Sequence, residues 1–353
     1  MKKIKAAIFV LIIMFPSLLM AASTTENIKN YGKIGTVMAT LNNEIRNILV
    51  IFPSYEALAI NFIDGKITNE KLKIEAGKLD ADIQNRLNLV DKQLGKIQLP
   101  NLVEAERNAV TDQLDKLYRL SLAATKKQLS EVKGSFNQQE NIINAALNRD
   151  ADLLFLTAIA NAKVNVLLSR NSLENVKSQQ SLIQKNQPLH WLQDCFKNFG
   201  EAELVINNSI LELNELALEN KDDENSYILK AEKFYQKASD EAVSFLRKAE
   251  ASRTMGRKVI TSWQINLAKF QPRNEAEKSM LKVLLEKAPP SFKKSFDVED
   301  QYGKAYADYI DIMVNNKFAP THELLKSVNQ RLTNLMAQRN NLFSMRAKML
   351  NNL

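Results

Sequence analysis

One cysteine, Cys195, is the whole thiol content of this 353-residue chain. No disulfide can close within it, so packing must hold the fold. The thiol sits in the run HWLQDCF among Trp191, Leu192 and Phe196, which predicts a buried structural group rather than a reactive one. Histidine is equally scarce. His190 and His322 are the only two, and with one cysteine they cannot complete a four-ligand Cys/His zinc site. His190, Asp194 and Cys195 are close in sequence, but five residues on a helix set the His and Cys side chains well apart, which argues against a nucleophile and its base. No glycine-rich phosphate loop occurs. The acidic stretches KDDENS and DVEDQYG lack the alternating ligands of a calcium loop. Ser130 with Lys133 and Ser291 with Lys294 match a common four-residue pattern without a supporting Lys-Thr-Gly element. The expectation is therefore a protein that is not an enzyme, with no catalytic residues, no metal site and no cofactor.

Glycine and proline are also few, nine and eight. Residues 135 to 187 contain neither, and residues 201 to 271 contain only Gly256, which leaves room for helices far longer than three turns. Apolar spacing agrees. Leu72, Ala76, Leu79, Ile83, Val90, Leu94 and Ile97 follow a 3-4 period, as do Leu325, Val328, Leu332, Leu335, Leu342 and Met349. The fold expected is all-α, an elongated bundle of long antiparallel helices with coiled-coil-like seams. Turns are expected at Phe52-Pro53, Asp64-Gly65, Leu99-Pro100, Gly134, residues 186 to 188, residues 219 to 226, Gln271-Pro272, Ala288-Pro289-Pro290 and Ala319-Pro320. Thr68, Asn137 and Asp223 or Asn225 suit N-caps. The break at 186 to 188 divides residues 24–187 from 188–353, two helical halves of one continuous bundle.

Residues 1–23 read as a cleavable secretory signal peptide. Lys2, Lys3 and Lys5 precede an apolar run from Ala6 to Phe15, and small residues follow at Ala21, Ala22 and Ser23. Ten apolar residues before a proline are few for an anchor. The localisation expected is periplasmic or extracellular.

The most apolar internal segment is ADLLFLTAIANAKVNVLL, residues 151 to 168. Leu153, Leu154, Phe155, Ile159, Val164 and Leu167 make it a candidate buried helix or membrane-inserting element. A span would place Asp152, Lys163 and two asparagines in hydrocarbon, at about 2.5–3.5 kcal/mol for each central charge. A helix sandwiched between neighbours fits the pattern better.

Charge is unevenly spread. The formal charge is +8, of which the three leader lysines contribute three. Residues 317–353 carry six basic residues against Glu323, whereas residues 201–224 carry eight acidic residues against Lys221. In the last helix Arg339 and Arg346 continue the apolar seam, and a guanidinium in a seam needs an acidic partner or a route to water. Arg331, Arg339, Arg346 and Lys348 are accordingly a candidate interaction surface, with internal pairing, for instance to the acidic segment, as the other reading. Tyr302, Tyr306 and Tyr309 form a helix stripe expected in core or interface. Nucleic acid is not an expected partner, because basic residues do not interleave with stacking aromatics. The Gly-x-His-x-x-Glu signature of imelysin-type exported proteins is missing, as is the glycine-rich hydrophobic hairpin of long-helix pore-forming toxins. The function expected is helix-mediated protein contact, as scaffold, adaptor or surface interaction factor, with a protein partner or self-association. The alternative is a membrane-active helical protein that binds an anionic membrane surface.

Overall fold

The computed structural model describes residues 22–104, 107, 109–149, 151–269, 271–272 and 275–351. The expected signal peptide, apart from its last two residues, lies outside them. The protein is an all-α bundle, and no strand occurs among the described residues. The helices are α1 (Ala22–Ile51), α2 (Pro53–Ile63), α3 (Asn69–Gly95), α4 (Ala109–Asn148), α5 (Ala151–Ser181), α6 (Pro188–Glu219), α7 (Glu224–Ala268), α8 (Glu275–Asn315) and α9 (His322–Asn351). At 45 residues α7 is about 65 Å long at 1.5 Å per residue.

Several ends are set as their residues require. Thr68 caps α3 by accepting from the Lys71 N–H at 3.2 Å, and Asp223 caps α7 by accepting from the Ser226 N–H at 3.0 Å. Pro53 and Pro188 open α2 and α6 in the first turn, where a missing N–H costs nothing. Gly65 turns the chain after α2 with φ +71°, a conformation that favours glycine.

Three expected interruptions do not occur. Gly134 and Asn137 lie inside α4, where Val132 and Gln139 are buried and neighbouring helices hold the segment helical. Pro289 and Pro290 lie inside α8 rather than in a turn. Each removes a helical hydrogen bond, at roughly 3 kcal/mol in an ordinary helix interior. Packing outweighs that loss: Ala288, Phe292 and Phe296 are fully buried around the pair, and Phe292 meets Trp263 of α7 edge to face.

Consecutive helices from α4 to α9 pack side by side, and α9 returns to lie along α1, which itself packs on α4. The circuit α1, α4, α5, α6, α7, α8, α9 is thus a closed ring, with α2 and α3 added beside α1 and α4. Buried side chains form two clusters, one among α1 to α4 and one among α6 to α9 with Tyr31 and Leu114, and Leu99 and Tyr118 pack on both. Gly256 shows how closely the second cluster is fitted. A Cβ there would stand 2.1 Å from the Phe296 ring, so only glycine lets α8 approach α7 so closely.

A candidate ligand cavity inside the helix ring

Within the ring lies a cavity of about 510 Å³, walled by α1, α4, α5, α6, α8 and α9. Its residues recur at helical spacing: Leu189, Leu192, Gln193, Phe196, Gly200 and Glu203 on α6, and Met336, Arg339, Asn340, Phe343 and Arg346 on α9. From Leu189 to Glu203 the lining runs roughly 20 Å at 1.5 Å per residue, so the cavity is elongated along α6. Its size is within the usual range for small-molecule sites.

Charged residues line the cavity at Arg46, Lys127, Glu174, Glu203, Arg339 and Arg346. Arg339 and Glu299 form a two-pronged ion pair, with the Glu299 side chain 1 % exposed. The same guanidinium lies 3.4 Å above the Tyr302 ring centre and near the rings of Phe196 and Phe199. Burial lowers its basicity, but Glu299 and Tyr302 outweigh that and hold Arg339 above the usual arginine value. Arg346 donates to Ser295 Oγ at 2.6 Å, and burial brings its pKa down to about 10 despite Glu299.

Arg46 of α1 is different. Its Nη1 is out of contact with solvent and has no hydrogen-bond partner among the described residues. Burial and then the charge of Arg339 lower its pKa, while Tyr302, Glu203 and Glu299 act on it favourably through space. Glu203 accepts a 3.3 Å hydrogen bond from Ser169 Oγ, which in turn accepts from Asn207 Nδ2 at 2.8 Å. Burial still raises the Glu203 carboxyl, outweighing Arg46 and Ser169.

Around Gln193 the polar side chains mostly satisfy one another. Gln193 Nε2 donates to Gln179 Oε1 at 3.2 Å, and Gln179 Nε2 donates to Ser121 Oγ at 2.9 Å. Gln193 Oε1 remains a buried acceptor without a donor among the described residues. Arg46 and Gln193, which both line the cavity, thus each keep one unpartnered atom out of contact with solvent, the donor Nη1 and the acceptor Oε1.

The candidate interaction surface of the last helix divides in two. Arg339 and Arg346 are interior groups rather than surface groups, because α9 turns its seam onto α8 and Glu299 supplies the acid. Arg331 pairs with Asp308 at 2.6 Å in the open, and Lys348 is exposed. Of the acidic segment 201–224, Glu203 faces the cavity, whereas Glu201 and Glu215 pair with Lys177 and Lys163 of α5.

The apolar segment 151–168 forms the first part of α5, packed between α4 and α6. Ile159 is buried, Phe155 and Val164 are half-buried, and Leu167 is exposed. The side chains of Leu153 and Leu154 lie outside the described set. Asp152 pairs with Lys221, so its charge stays at the surface. No helix among the described residues is long and apolar enough to cross a membrane.

The other sequence candidates have structural roles. Cys195 is fully buried and donates to the Ala249 carbonyl, with burial raising its pKa well above the ordinary thiol value. Asp194 accepts from Gln180, Lys197 and Ser252, and His190 Nδ1 lies 2.8 Å from the Ile183 carbonyl. Tyr302, Tyr306 and Tyr309 form a stacked row in which Tyr302 also reaches the cavity.

Arg46, Glu203 and Glu299 were not singled out by the sequence patterns. Glu299 had a legible signal: it occupies the seam Phe292, Phe296, Glu299, Tyr302, Tyr306, as Arg339 occupies the seam of α9. Arg46 gave none, since its neighbours Ile45 and Ile48 carry the apolar period of α1.

No protein-family model, no curated protein and no solved structure matches this chain.

Proposed function

We propose that this is an exported, non-enzymatic protein that works by holding a small organic ligand inside its ring of helices. One observation carries the reading: a cavity of about 510 Å³, open on one side to solvent, lies among the helices and is lined by Arg46, whose Nη1 no described residue satisfies. A buried charge-bearing donor left unmade is costly, and a bound group that accepts from it recovers that cost. The signal-like leader supports export.

The test is a melting survey of the mature protein against small acids, amines and neutral amphiphiles, run beside Ala124→Phe, which places a ring in the cavity wall. Ligands that raise the melting temperature of the parent protein and leave the variant unmoved support the reading. An identical response from both proteins counts against it.

Contact with a protein partner, or self-association, is the second reading. It is favoured by Ile60 and Ile63, which stand three residues apart on α2 at 57 % and 44 % exposed. Solution mass before and after Ile60→Lys with Ile63→Lys tests it: a larger assembly that falls to the monomer supports that reading, and a monomer in both removes self-association. The membrane-surface alternative is weakened by the inward turn of Arg339 and Arg346, which leaves fewer basic groups outside.

A further inference from the structure

We infer that the cavity receives a slender amphipathic monocarboxylate, with its carboxylate on Arg46 and its apolar chain running along α6 toward Gln193. This rests on the reading that the cavity is a ligand site.

The charge balance selects the head group. Around the cavity and its wall Arg46, Lys127, Arg339 and Arg346 stand against Glu174, Glu203 and Glu299, four basic groups against three acidic, which leaves one positive charge without a counterpart. Arg339 is already committed to Glu299, and Arg346 to Ser295. Of the three arginines only Arg46 has a buried nitrogen, Nη1, without a hydrogen-bond partner among the described residues. A guanidinium fork matches a planar carboxylate, and a single carboxylate closes the balance.

The shape selects the rest. Glu203 and Gln193 are ten residues apart on one helix, roughly 15 Å at 1.5 Å per residue. Between them Phe196 supplies an apolar wall, with Leu192 beyond it and Phe343 of α9 facing the same space. A chain with a terminal hydroxyl would also meet the unpaired Gln193 Oε1, which can only accept.

Titration calorimetry on the mature protein tests this with dodecanoate, its ω-hydroxy derivative and dodecanol. Dodecanoate should bind at least about tenfold more tightly than dodecanol, and Arg46→Gln should remove that preference for the acid. The ω-hydroxy acid should bind no more weakly than dodecanoate. Equal affinity of acid and alcohol for the parent protein would overturn the ligand class yet leave the cavity a ligand site; that comparison requires no variant to fold. An acid whose affinity Arg46→Gln leaves unmoved would overturn Arg46 as its anchor. Failure of all three probes to bind would overturn the ligand class and count against the ligand-site reading together.

Discussion

Arg339 and Glu299 show what one buried pair demands. Each is held by the other, so truncating one leaves an uncompensated charge beside the cavity. Arg339→Met should lower unfolding free energy by about 3–5 kcal/mol, and Arg339→Met with Glu299→Leu should recover most of it. Urea denaturation of the two variants checks this; a double variant as unstable as the single would mean that the pair does not act as a unit. Glu203 makes a pH prediction. Its carboxyl titrates above its ordinary value of 4.5, so the fold favours the protonated form. That contribution is complete below the unfolded value and is lost as pH rises through the folded one. Relative to Glu203→Gln, the parent protein should therefore lose stability as pH rises from about 4 toward neutrality. Parallel stability curves for the two proteins would contradict it. The groups facing Glu203 are Arg46, Arg339, the three stacked tyrosines and Ser169. Among these only the glutamate ordinarily titrates in that interval.

The helices end partly by rules that can be read and partly by ones that cannot. Asp64-Gly65, Leu99-Pro100, Gln187-Pro188 and Ala319-Pro320 are breaks in the sequence and in the fold, because the residues themselves fix φ or lack an N–H. The break after α4 has no such residue: Arg149 takes φ +52°, as do Lys317 at φ +52° and Phe318 at φ +59° after α8. A left-handed helix end without glycine leaves no mark in composition, so the pattern read straight through it. Replacing Arg149 by Gly should raise stability by about 1 kcal/mol, measured as the shift in denaturation midpoint. No gain would mean that the Arg149 side chain repays the strain. The opposite error arises at Pro289-Pro290, where breakers were obvious and buried Phe292 and Phe296 kept the helix intact. Local chemistry predicts ends well until tertiary packing outweighs it.

The long-range pairing was the least legible. That α9 lies along α1, closing the ring, follows from which seams meet and not from the period of either. The cavity residues share this obscurity, since Arg46, Glu203 and Arg339 are far apart in sequence and converge only when the circuit closes. Asn340 Nδ2 lies 3.4 Å from Asn43 Oδ1 across that closure. Cysteines introduced at positions 43 and 340 should therefore be joined within one chain by a short bismaleimide, because Cys195 is buried and does not compete. The joined product would migrate as a monomer; links only between chains would show that the circuit closes by exchange. Ring and cavity together make ligand retention the central claim. It is met most directly by native mass spectrometry of the mature protein mixed with dodecanoate, beside Ala124→Phe. The account predicts one dodecanoate per chain on the parent protein and none on the variant. Equal adducts on both, or none on either, would contradict it.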